Sequence, residues 1–95
     1  MAVVFVHHGE GLQQEQYDEV IQKMMGKVPE SPSDWPVEGL LSHAAGEGPN
    51  GFRVVDVWES EDACRRFGEK LQPYLDEVGI TAEPEMYPAH VFVKA

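Results

Sequence analysis

Within the stretch RVVDVWESEDACRRF, Arg53 to Phe67, the hydrophobic pattern changes its period. Val54 to Trp58 is a run of β-branched and aromatic residues interrupted by Asp56, the composition of a strand. From Ser60 onward Cys64, Phe67, Leu71, Leu75 and Val78 recur at three- and four-residue spacing, the pattern of a helix with one buried face. Ser60 stands where an N-cap is needed, Glu61 and Asp62 fall in the first turn, and Gly79 ends the run. A strand and a helix separated only by Glu59 and Ser60 must fold back on each other. Trp58 is left at the seam, where it either fills the core or lines a pocket.

The rest of the chain supplies matching parts. Ala2 to His8 (AVVFVHH) reads as a strand ending at Gly9. Leu12, Tyr17, Val20, Ile21, Met24 and Met25 then mark an amphipathic helix closed by Gly26, and this Met and Tyr stripe is read as core. Val28 to Gly39 holds three prolines and Trp35, so it is an irregular loop, a lid or contact arm if it has a function. Leu40 to Ala45 is a short strand, and Gly46 to Gly51 provides the turn that pairs it with the Val54 run. Pro73 should kink or loosen the second helix. Glu85 to Ala95 (EMYPAHVFVKA) closes the chain as a strand, with Pro88 at an edge or irregularity. The order β-α-β-β-α-β predicts an α+β, ferredoxin-like fold: a four-stranded antiparallel sheet with two helices on one face, in one domain over residues 1–95. The other sheet face, expected to carry Phe5, Val54 and Phe92, needs a cover, and a second copy is the economical one.

Seven Lys and Arg against seventeen Asp and Glu give a net charge of −10, which disfavours binding to a phosphate backbone. No nucleic-acid partner is therefore expected. The single Cys64 excludes an intramolecular disulfide and suits a reducing compartment. The apolar run Ala2 to Val6 is too short for a membrane span or a signal peptide, so a cytoplasmic protein without a membrane partner is expected.

The segment VVDVWESEDACRRF, together with EGLLSHAAG before the hairpin, resembles the dimeric α/β-barrel superfamily, above all its antibiotic biosynthesis monooxygenase-like members. The resemblance runs through the element order of nearly the whole chain. It implies a homodimer packed sheet against sheet, with a pocket in each protomer between sheet and helices. It also implies a small planar aromatic or quinone-like ligand stacked on Trp58, and cofactor-independent oxygenation in which the deprotonated substrate itself reacts with oxygen. In the haem-degrading branch an Asn on the first strand, this Trp and a His on the second helix work together. Here the first-strand position falls on His7 and the helix around Phe67 and Gly68 has no His, so haem is not expected and no cofactor is assigned.

Strand periodicity sorts the candidate residues by face. Val4, Val6, Val55 and Val57 form pure-valine faces, the natural partners for helices. Phe5, His7, Asp56 and Trp58 fall on the mixed faces, turned towards a cavity or a second subunit. His7, Asp56 and Trp58 are the candidate catalytic set: a His beside Asp56 as general base on a phenolic substrate, Asp56 orienting its ring, and Trp58 stacking. Phe5, Trp35, His43 and His90 are candidate ligand contacts. His7, His43 and His90 match no metal-site spacing, so no metal is assigned. The alternatives are a non-catalytic ligand-binding or purely structural dimeric module, and a metabolite-responsive protein with a vestigial pocket.

Overall fold

A computed structural model describes residues 1–95. In chain order the elements are β1 (Val3–His7), α1 (Gln14–Met25), a single 3-10 turn (Pro32–Asp34), β2 (Leu40–Gly48), β3 (Gly51–Trp58), α2 (Glu61–Val78) and β4 (Glu85–Pro88). The strands form one antiparallel sheet in the order β2-β3-β1-β4, the ferredoxin-like arrangement. No helix is long and apolar enough to cross a membrane.

Local chemistry accounts for the helix ends. The Ser60 hydroxyl accepts from the Ala63 N–H at 3.1 Å and so caps α2. Gly26 takes the left-handed conformation that closes α1, its N–H donating to the Gln22 carbonyl. Helix α2 continues through Pro73 instead of ending there. The long stripe of Ala63, Cys64, Phe67, Leu71 and Leu75 on the sheet outweighs the one backbone bond that a proline removes.

The face assignment is corrected by the structure. The helices cover the mixed face, and Phe5, His7, Val54, Asp56 and Trp58 are all buried beneath them. Phe5 and Val54 are therefore not on the bare face. Phe5, Phe52 and Trp58 offer the helices far more apolar area than a row of valines. Period-two geometry then carries His7 and Asp56 inward with them. The open face presents Val4, Val57 and Tyr87 in one cross-strand row and, in the next, Val55 and Glu85 on either side of a buried Val6. Val55 and Tyr87 are exposed there.

Two strand lengths also differ from expectation. β2 runs on to Gly48, so the hairpin turn narrows to Pro49 and Asn50. β4 stops at Pro88, which has no N–H to continue a ladder, and the segment from Ala89 to Ala95 forms no strand.

Candidate active site

Between sheet and helices lies a cavity of about 40 Å3. Phe5 and His7 of β1, Val54 and Asp56 of β3, and Phe67, Leu71 and Leu75 of α2 line its inner side. Tyr17 of α1, Trp35 of the loop and His43 of β2 stand on the other. Its wall is apolar apart from His7, His43, Asp56 and the tyrosine hydroxyl.

His43 and Asp56 are direct cross-strand partners in the β2–β3 ladder, so their side chains leave the sheet on the same face. His43 Nδ1 lies 2.5 Å from Asp56 Oδ1. A carboxylate only accepts, so Nδ1 carries the proton and donates. In the neutral ring Nε2 is then an acceptor, and the Tyr17 hydroxyl donates to it at 2.7 Å. The phenol and imidazole planes are 16° from parallel with centroids 6.0 Å apart. Trp35 packs on the imidazole as well, at 4.6 Å between centroids. Burial, with the Asp56 charge adding to it, pushes the Tyr17 phenol up to about 12. Asp56 is fully buried, and its Oδ2 has no hydrogen-bond partner. Such an atom is rare in a folded protein and marks where a donor from a ligand or water belongs.

Trp35 is held in place through its neighbour. Asp34 Oδ2 accepts from the backbone N–H groups of Glu30 at 2.8 Å and Ser31 at 3.1 Å, pinning the 3-10 turn that ends at the indole. These two bonds hold the Asp34 carboxyl below its ordinary value.

The structure thus brings Phe5, His7, Trp35, His43 and Asp56 to one cavity. The histidine beside Asp56 is His43 and not His7. His7 faces Val54 across the ladder, and its Nε2 lies 2.8 Å from the Ala82 carbonyl, to which it donates. Burial holds the His7 imidazole below its ordinary value, against the opposing pull of that carbonyl. Trp58 does not line the cavity: it is fully buried and stacks on Phe67 at 4.9 Å, so it fills the core at the strand–helix seam. His90 is exposed beyond the end of β4, because the strand that would have carried it inward stops at Pro88. No group of three His, Cys, Asp or Glu side chains is close enough to hold a metal ion.

Tyr17 is the residue that the stripe pattern concealed. It sits among Val20, Ile21 and Met24 on the inner face of α1 and counts as one more apolar residue there. The available signal was chemical: a tyrosine on a buried stripe needs a partner for its hydroxyl.

No family model matches the chain, and no curated protein matches it by sequence. Solved structures do match in fold. A variant of SnoaB, described as a cofactor-independent oxygenase from Streptomyces nogalater, is 18% identical, with 99% of this chain and 98% of that one covered and a TM-score of 0.60. A monooxygenase from ActVA-Orf6 of Streptomyces coelicolor, in complex with nanaomycin D, is 20% identical over 99% of this chain and 91% of that one, with a TM-score of 0.51. A dimeric ferredoxin-like protein from an uncultured marine organism is 11% identical over 99% and 90%, with a TM-score of 0.53. At these identities the likeness is one of fold.

Proposed function

We propose that this chain is a cofactor-independent monooxygenase that deprotonates a planar hydroxy-aromatic compound and lets the resulting anion react with dioxygen. What carries this reading is the buried Asp56–His43 pair in the wall of an otherwise apolar cavity. His43 accepts the substrate proton, and Asp56 fixes the ring and stabilises the imidazolium that forms. A general base so placed is worth about 10²–10⁴ in rate. In an anthrone-type substrate, the anionic carbon adds dioxygen to give a peroxide. Protonation and loss of water then leave a ketone, so that CH2 and O2 become C=O and H2O. The substrate supplies every electron, which is why an apolar pocket and a base suffice. Phe5 and Trp35 give the cavity behind the base its apolar walls. The descriptions of SnoaB as a cofactor-independent oxygenase and of the ActVA-Orf6 protein as a monooxygenase binding nanaomycin D support the same chemistry.

The working unit in this proposal is a cytoplasmic homodimer of one 95-residue domain. The open valine face is its interface, and the description of the ferredoxin-like neighbour as dimeric supports the two-copy assembly.

The test is a thermal-shift screen against dithranol (a dihydroxyanthrone), naphthoquinones and haem, followed by oxygen uptake with each compound that binds. A ligand at a hundred times its dissociation constant adds about 2.7 kcal/mol to stability. In a domain this small that raises the melting temperature by about 10–20 °C. Stabilisation by dithranol with oxygen uptake is the expected result. Binding without uptake would make the chain a ligand-binding module, and silence across the panel a structural dimer.

A further inference from the structure

Both ring nitrogens of His43 are engaged, Nδ1 by Asp56 and Nε2 by the Tyr17 hydroxyl. A substrate hydroxyl therefore cannot reach the imidazole without first displacing Tyr17. The Tyr17 oxygen donates its one proton to His43 and keeps lone-pair capacity to accept another. Its position adds a second observation. The inner cavity, at about 40 Å3, is far smaller than the roughly 300–1,000 Å3 typical of ligand pockets. Outside it, between α1 and β2, lies an open groove of about 570 Å3 lined by Gln14, Ile21, Lys27, Val28 and Phe52. Tyr17 and His43 line both spaces.

We infer that Tyr17 is the catalytic residue that meets the substrate, passing its proton inward to His43 while the substrate's ring system rests in the outer groove. This rests on the base chemistry proposed above and names its missing member. The step balances as a proton relay. The substrate O–H breaks and its proton goes to the Tyr17 oxygen. The Tyr17 O–H breaks in concert and its proton goes to His43 Nε2. The products are a substrate anion, a neutral tyrosine and an imidazolium held by the Asp56 carboxylate. With its phenol pushed up to about 12, Tyr17 stays protonated near neutrality, so it conducts the proton and does not store the charge. Substrates of this site are accordingly hydroxy-arenes or their enol tautomers, with the hydroxyl at the edge of a flat ring system wider than the inner cavity.

The variant Tyr17→Phe removes one oxygen and keeps the ring that packs on His43 and on Phe52, at 5.3 Å. The probe is para-nitrophenol, whose anion absorbs visible light, added to the whole protein at a pH where the free compound is mostly protonated. The expected result is an anion band with the wild-type protein that is lost in both Tyr17→Phe and Asp56→Asn. An undiminished band in Tyr17→Phe would overturn the relay, because His43 would then be taking the proton directly. Absence of a band with the wild-type protein would overturn it equally. Oxygen uptake with dithranol is read separately, so a failed relay and a failed oxygenase assignment are distinguishable. If uptake occurs, Tyr17→Phe is expected to lower kcat by about 10²-fold or more with KM for dithranol little changed.

Discussion

His43 and Asp56 face each other across the β2–β3 ladder with Nδ1 2.5 Å from Oδ1, the carboxylate fully buried and with no other hydrogen-bond partner. Besides being the base of the proposed chemistry, the pair is a cross-strand tie on the edge strand β2. Its two halves are not equivalent. Taking away His43 strands a buried negative charge, whereas neutralising Asp56 removes that charge.

Stability therefore separates the two. His43→Ala is expected to cost about 3 kcal/mol, the low end for breaking a buried pair. Asp56→Asn should cost clearly less, and adding it to His43→Ala should recover part of the loss. Urea denaturation of the two single variants and the double variant closes the cycle. Equal and additive losses would mean that the pair is not coupled.

Trp58 behaves as packing. Its full burial and stack on Phe67 predict that Trp58→Ala loses about 3–5 kcal/mol. Trp58→Phe keeps the fold, and its KM for any substrate found stays within a factor of about two. Chemical denaturation and steady-state kinetics check both statements. A large KM change in a stably folded Trp58→Phe protein would return the residue to the ligand site.

His7 gives stability a pH dependence on the acid side. Its folded-state value lies below the ordinary one of about 6.5, so the unfolded chain takes up this proton first as pH falls. The contribution is fully present above about pH 6.5 and is lost as pH falls below it, through the folded-state value. Urea midpoints at pH 7.5 and 5.5 should differ more for the wild-type protein than for His7→Gln. The same difference in both would assign the acid sensitivity elsewhere.

The open sheet face predicts the assembly. Val55→Arg places a charge beside the half-buried Val4 and Val57 of that face. It should turn a dimer into a monomer with little effect on the fold, since Val55 is already partly exposed. Light scattering at micromolar concentration reads the mass directly. A wild-type monomer would remove this face as an interface.

The element order was legible because every junction carries its own chemistry: Ser60 before α2, Gly26 after α1, and the glycines of the hairpin. Which face the helices cover was not legible. Period two separates Phe5, Asp56 and Trp58 from Val4, Val55 and Val57, but it does not say which set lies inside. That was decided by total buried area, to which the two polar residues were passengers. The site was half visible for the same reason. Asp56 and a histidine beside it could be anticipated. Choosing His43 over His7 required the register of two strands joined by a turn of uncertain length. His90 was lost when Pro88 ended the last strand, and Tyr17 was hidden by its apolar neighbours.

Gly39 helps to fix where Trp35 stands beside His43. It adopts φ +113°, its carbonyl accepts from the Glu59 N–H, and a Cβ there would lie 2.8 Å from that of Ala63. The backbone four residues beyond Trp35 is thus wedged against the start of α2, while Asp34 pins the turn before it. A loop clamped on both sides of its tryptophan leaves the indole little freedom, and it stays packed on His43. Picosecond-to-nanosecond rotamer flips belong to exposed side chains, and Trp35 is not one of them. Fluorescence anisotropy decay of Trp35 in a Trp58→Phe background should show only overall tumbling, and a fast rotational component would show that the clamp leaves the indole free.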